Sequence, residues 1–179
     1  MTTDPCLLSA CPIFRSQRFT MDEESWSTID GRVTRPVIHH PGAVVILAEP
    51  EPDTVLLVRQ WRYAIRRWTL EVPAGTRVPG EEPSATAARE LAEEAGFAAD
   101  QLVETMRFMP APGVSDEVMI LYRATGLRPA TAQPDQGELV RRQVTGRDEL
   151  PGMIASGSIC DAKTLLALAL LGIPMQATR

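Results

Sequence analysis

Apolar residues gather in short runs parted by turn residues over most of the chain, and helical spacing appears in only a few places. Ala43–Ala48 is an unbroken apolar run, the pattern of a strand buried on both faces. A turn with two prolines follows at 49–53, and residues 54–63 and 68–72 then read as two more strands. Residues 117–124 and 138–145 add two further strand signals. Pro83 occupies a first-turn position and Gly96 a stop position, so 84–95 is predicted to be a helix of about three turns. Residues 147–156 and 162–171 also read as helices, the second capped by Asp161. Mixed strands with few helices predict an α+β sandwich rather than a doubly wound sheet.

The N-terminal end has a different texture. Its first fourteen residues hold two prolines and no periodicity, and read as a loose arm. Residues 15–39 are polar and turn-rich, with Asp30-Gly31 as a hairpin turn between strands at 19–29 and 32–38. This piece has too little apolar content for a core of its own, so it is expected to pack on something else, a second subunit being the natural candidate. The expected division is a dimerising N-terminal arm and β-strand piece at 1–40 and a main domain at 41–179. A length of 179 residues suits one such core plus a small appendage.

Charge and cysteine usage narrow the function. A net charge of −5 without a basic cluster argues against nucleic-acid partners. Cys6, Cys11 and Cys160 fit neither a disulfide framework nor a zinc site, which points to a reduced, cytoplasmic setting. No signal peptide is recognisable, and the longest apolar run, 165–171, is far too short to cross a bilayer, so no membrane partner is expected. His39 and His40 are adjacent, point to opposite faces of a strand and cannot chelate one ion. No phosphate-binding glycine loop ending in Gly-Lys-Ser/Thr is present.

The candidate chemistry lies in the helix at 84–95 and the loop before it. At about 100° per residue, Ala87, Leu91 and Ala95 form a core stripe, while Glu90, Glu93 and Glu94 crowd an adjacent arc. Glu90 and Glu94 are neighbours that repel unless cations lie between them. Oxygen donors without histidine or cysteine suit hard ions, magnesium or manganese. Arg89 can pair with Glu93 one turn on, Gly75 permits a tight backbone that brings the Ala74 carbonyl towards the ions, and Glu81 can complete or brace the site. A solvated acidic face would account for the glutamates alone, but not for Gly75, Gly96, Glu81 and Arg89 beside them.

The full run, Gly75, Glu81, Arg89-Glu90-Leu91, Glu93-Glu94 and Gly96-Phe97, is a gap-free match to the Nudix box, and the chain resembles the Nudix hydrolase family. The resemblance implies a Nudix α/β/α sandwich that cuts a nucleoside diphosphate linked to another group. It also implies metal ligation by Glu90, Glu94 and the Ala74 carbonyl, with Glu93 as a further ligand or support.

Outside the box the chain is similar to the ADP-ribose diphosphatase branch, from about Arg35 to the last helix. Val58-Arg59-Gln60-Trp61-Arg62-Tyr63, Glu71-Val72-Pro73-Ala74-Gly75, Pro112-Gly113-Val114-Ser115-Asp116-Glu117 and Asp161-Ala162-Lys163-Thr164 carry this likeness. It implies that Arg35, Arg62, Glu71, Pro112 and Gly113 belong to the substrate site, and that the protein is a homodimer. Two arginines beside an acidic metal site suit a diphosphate clamp; each alone could be an ordinary surface cation. Trp26 and Trp61 could stack on adenine or simply pack. The branch's acidic loop corresponds here to 134–141. It offers Glu138 as general base, with Asp135 and Glu93 behind it, while Gln136 and Arg141 stand where relatives often carry acids.

The expected reaction is hydrolysis of a nucleotide sugar, ADP-ribose to AMP and ribose 5-phosphate, with Glu138, Glu93 and Arg89 as catalytic residues and magnesium as cofactor. GDP-mannose, another sugar nucleotide or a dinucleotide remain alternative substrates. A sensor that binds ADP-ribose without cutting it is an alternative of a different class.

Overall fold

The computed structural model describes residues 4–131 and 139–175. Contacts divide the chain into two compact units. One comprises Met1–Gly42 with Phe108–Met119, the other Ala43–Arg107 with Ile120–Arg179. The unit around the N-terminal sheet thus takes in a segment far along the chain, and the units are not consecutive pieces.

The first unit is built on an antiparallel sheet of β1 (Cys6–Arg15), β2 (Thr20–Thr28) and β3 (Gly31–His39), in that order. The Asp30-Gly31 hairpin lies where the sequence places it, with Thr28 opposite Gly31. The loose arm expected over the first fourteen residues is instead strand β1, paired with β2 from Cys6↔Ser27 to Arg15↔Thr20. Pro12 misled the sequence argument. It lies beside a register shift on an outer strand, where a missing backbone donor costs little. Ile38 extends the sheet by a parallel bridge to Ser115, and its N–H donates to the Val114 carbonyl.

The second unit is the α+β sandwich. Its strands are β4 (Ala43–Ala48), β5 (Thr54–Arg62), β6 (Arg67–Glu71), β7 (Ala74–Thr76), β8 (Phe97–Ala98), β9 (Gln101–Phe108), β10 (Met119–Thr125), β11 (Arg128–Pro129) and β12 (Val140–Gly146). Its helices are α1 (Pro83–Ala95), α2 (Leu150–Ala155) and α3 (Ala162–Leu170). The strands form sheets in the orders β7-β4-β10-β9, β12-β5-β6 and β11-β8. Strand β4 is buried along its whole length, as its unbroken apolar run requires. Val44, Ile46 and Ala48 pack in one cluster with Leu56, Val58, Ile120 and the α1 stripe of Ala87, Leu91 and Ala95. That shared core fixes the rotation of α1, and with it the direction of the acidic arc. Gly96 ends the helix with φ 67°, a left-handed conformation in which its N–H caps the Ala92 carbonyl. Among the described residues no helix is long and apolar enough to cross a membrane.

Candidate active site

Helix α1 presents Glu90 and Glu94 on the edge of its buried face, only 9% and 5% exposed. Both carboxylates meet β7, which is held against β4 by the pairs Val44↔Gly75 and Val45↔Ala74. The Ala74 N–H donates to Glu94 Oε2 at 3.0 Å. The Glu90 side chain lies directly on Gly75, so closely that a Cβ there would fall 1.9 Å from Glu90 Cδ. Gly75 is thus a cradle for one carboxylate, a requirement of close approach rather than of unusual φ.

Arg89 sits at the centre of the other acids. Its Nη1 donates to Glu90 Oε1 at 2.7 Å and Glu93 Oε2 at 2.8 Å, and its Nε and Nη2 reach Glu81 at 3.3 Å. Glu81 also accepts from the Thr86 hydroxyl at 2.8 Å. Burial works against the Arg89 charge, but Glu81, Glu90 and Glu93 outweigh it and raise its pKa. The Arg89 hydrogen bonds, assisted by Thr86, hold Glu81 below the usual carboxylate range. One guanidinium therefore binds three carboxylates, with Glu94 a turn beyond. Among the described residues no three His, Cys, Asp or Glu side chains already converge as a metal site. The donors at hand are the Glu90 and Glu94 carboxylates and backbone oxygen. The excess of oxygen anions and the Gly75 cradle, with no histidine or cysteine beside them among the described residues, fit a hard divalent cation.

Beneath this segment lies a second network. Register pairs Val58 with Glu71 and Gln60 with Thr69, so Glu71, Thr69 and Arg62 share one face of the β5–β6 ribbon. Glu71 is 1% exposed and accepts from Arg62 Nε at 2.7 Å, Thr69 Oγ1 at 2.5 Å, Arg62 Nη2 and Lys163 Nζ. Burial pushes the Glu71 carboxyl up, but Arg62 and Lys163 prevail and lower its pKa to about 2. Arg62 is raised in turn: burial opposes its charge, and Glu71, Glu94 and Asp161 overcome that. Asp161 Oδ1 caps α3 through the Thr164 N–H and binds Lys163 at 2.8 Å, while Thr164 Oγ1 accepts the Val72 N–H at 3.0 Å. The start of α3 thereby fixes the strand leading into Ala74 and Gly75.

In the first unit a pocket of about 460 Å³ is lined by Glu24, Trp26, Arg35, Pro112, Gly113 and Asp116, among others. Arg35 lies opposite Glu24 in the β2–β3 pairing, and its Nη1 donates to the Thr34 carbonyl at 2.9 Å. The Trp26 indole donates to Glu24 Oε2 at 3.0 Å. Trp61 takes a different position, edge-on to Trp68 in the second unit, with the Arg59 guanidinium over the Trp68 ring.

Arg89, Glu90, Glu93, Glu94, Ala74 and Glu81 are thus gathered in one place, Arg62 and Glu71 pair directly, and Arg35, Pro112 and Gly113 line one pocket. Glu138 and Asp135 lie outside the described residues. Sequence reasoning gave no role to Lys163, Thr164 or Thr86. The Asp161-x-Lys163-Thr164 start of α3 was the available signal, since a lysine in the first turn runs against the helix dipole unless an acid receives it.

Glu71 contributes to the acid dependence of this unit. Its folded pKa is depressed from 4.5 to about 2, so its stabilising contribution is complete above about pH 4.5 and is lost as pH falls through about 2. Glu71→Gln is expected to remove that part of the acid-denaturation curve and, by taking the buried countercharge from Arg62 and leaving Lys163 only Asp161, to cost about 3 kcal/mol at neutral pH. Urea melts of both proteins from neutral to acid pH measure the two effects.

Residues 38–166 match the NUDIX domain model. The chain is 36% identical over 140 residues to an ADP-ribose pyrophosphatase of Bacillus subtilis (strain 168), covering 76% of this chain and 75% of that one. It is 35% identical over 139 residues to a methanol dehydrogenase activator of Bacillus methanolicus, with the same coverages. A crystal structure of an ADP compounds hydrolase superposes with a TM-score of 0.81 over 96% of this chain and 94% of that one, at 24% identity, and shares its fold. A matching domain model over most of the chain, relatives above one-third identity and a common fold converge on one conclusion: this protein belongs to the Nudix family.

Proposed function

We propose that this protein hydrolyses the diphosphate of a nucleotide sugar, ADP-ribose first among them, to AMP and ribose 5-phosphate. The observation that carries the reading is the Glu90 carboxylate seated on Gly75 beside a Glu94 that receives the Ala74 N–H. The name of the Bacillus subtilis relative supports ADP-ribose as substrate. Glu90, Glu94 and the Ala74 carbonyl would hold a divalent ion, magnesium or manganese, with Glu93 as support. Such an ion polarises a phosphoryl oxygen and stabilises the charge that develops there.

The protein's own groups have separate tasks. Arg89 holds Glu90 and Glu93 in register by donating to both carboxylates. Arg62, fixed by Glu71, and Arg35, beside Pro112 and Gly113, bind and orient the substrate. Water attacks one phosphorus, the bond from that phosphorus to the bridging oxygen breaks, and Glu138 takes the water's proton. The intact acidic cluster speaks against a sensor that binds without cutting.

Exposed apolar residues on β1 support a homodimer. Leu8 and Ile13 are 54% and 52% exposed, and Leu7 and Phe14 are also open. A strand uncovered on both faces is an association surface, and a second copy of the chain is its natural cover. Sedimentation is expected to give twice the 19.6 kDa chain mass, and Leu8→Lys with Ile13→Lys to give the monomer. A wild-type monomer at micromolar concentration would exclude this assembly.

Turnover of a panel of ADP-ribose, GDP-mannose and dinucleotides, with magnesium and with EDTA, tests the reaction. Selective, metal-dependent cleavage of ADP-ribose is expected. Glu90→Gln with Glu94→Gln should lower kcat by at least about 10²–10³-fold. Gly75→Ala should cost about 10²-fold by displacing the Glu90 carboxylate, with little change in Tm because a flexible side chain gives way. Full turnover in the double glutamine variant would sink the proposal.

A further inference from the structure

The pocket of the first unit has a brace behind it that the reaction as described does not use. His39 stands near the end of β3 among three carboxylates from two directions. Its Nδ1 lies 2.7 Å from Asp116 Oδ2, while its Nε2 lies 3.4 Å from Glu24 Oε1 and 3.7 Å from Asp22 Oδ2. Asp116 and Glu24 both line the pocket, one from the 111–116 turn and one from β2. Each also organises a neighbour. Asp116 Oδ1 accepts the His40 N–H at 2.8 Å, and Glu24 Oε2 holds the Trp26 indole at 3.0 Å. Asp22 is held in turn by Arg15 of β1 at 2.6 Å, and the His40 ring faces Glu117 at 3.3 Å rather than the pocket.

We propose that His39 is a positioning residue for substrate, bracing the two walls of this pocket through Asp116 and Glu24, and that affinity for the substrate falls when His39 loses its proton. The inference rests on the pocket being part of the substrate site. The imidazolium donates from Nδ1 to Asp116 of the turn and turns its charged Nε2–H side towards Glu24 and Asp22 of β2, at 3.4 Å and 3.7 Å. A neutral ring can donate from only one, and its other nitrogen then turns a lone pair towards a carboxylate. One wall loses its tie, and either the Asp116 turn or the Glu24–Trp26 pair is released.

The charge state needed for the brace is favoured. The hydrogen bond with Asp116 raises the His39 pKa above 6.5, against burial and with help from the Asp22 and Glu24 charges. Burial pushes Asp116 up, but the His40 N–H and His39 hold it below the usual range. The sign follows: a raised histidine contributes fully below about 6.5, and its contribution disappears as pH climbs through the higher folded value.

Binding of ADP-ribose to the full chain in EDTA, by calorimetry from about pH 5.5 to about pH 8.5, tests this without turnover. Kd is expected to rise roughly threefold to tenfold across the range, the worth of about one hydrogen bond. The midpoint should coincide with the His39 titration seen by NMR. Only two histidines are present, and His40→Gln assigns the signals while keeping the step. His39→Gln should bind at the weak, high-pH level throughout. A step that survives in His39→Gln, or a midpoint apart from the His39 titration, overturns the inference. Arg35→Ala separates it from the reading on which it rests. Weaker binding in Arg35→Ala with an unchanged His39→Gln keeps the pocket and removes His39. Wild-type binding in Arg35→Ala removes both. Should His39→Gln fail to fold, coincidence of the two wild-type midpoints supports the inference and their separation overturns it.

Discussion

Mutual repulsion among the carboxylates of α1 is the constraint around which the second unit is arranged. Glu90, Glu93 and Glu94 share one arc of a helix whose adjacent stripe is anchored in the core, so the helix cannot turn them away without pulling Leu91 out. Arg89 answers this locally by binding Glu81, Glu90 and Glu93 together. Pairing of this kind usually contributes little at a surface, but here the groups are partly desolvated and their geometry is fixed by a buried helix. The remaining demand falls on the backbone opposite. Gly75 has no side chain where the Glu90 carboxylate must lie, and the Ala74 N–H offers Glu94 a donor.

The opposing strand must therefore be as immobile as the helix. Burial alone would not fix it, since β7 has only three residues. The Glu71 network supplies the rest, tying the residues before Ala74 to the start of α3 through Lys163 and Thr164. Glu71 also determines the conformation of Arg62, so a single buried carboxylate positions both the entry to the box and the guanidinium beside it.

Much of this was legible in the sequence where one local pattern suffices. The α1 stripe, the Arg89–Glu93 pairing one turn apart, the Gly96 stop and the Asp161 cap all depend on spacings of a few residues, and the structure agrees with each. Gly75 was read as a tight backbone that carries the Ala74 carbonyl towards the ions; what the structure shows there is the close approach of the Glu90 side chain, fifteen residues on. What sequence reasoning missed depends on partners far apart in the chain. Glu71 meets Lys163 across 92 residues, and His39 meets Asp116 across 77. Strand β1 was missed for another reason. Its residues are exposed on both faces, so no alternation of burial marks them, and Pro12 reads as a breaker until an edge position accommodates it.

The long reach of the Glu71–Lys163 bond has a consequence for biosynthesis. A chain emerging from the ribosome exposes the whole Nudix box, carboxylates included, well before α3 exists. Until Lys163 and Thr164 arrive, Glu71 has only Arg62 and Thr69 as partners and the Val72 N–H lacks its acceptor. The acidic site is thus among the last parts of the unit to become rigid, and a nascent chain carries its most highly charged helix opposite a strand not yet anchored. Competence arrives only with α3, whose first turn secures the strand that leads into the box.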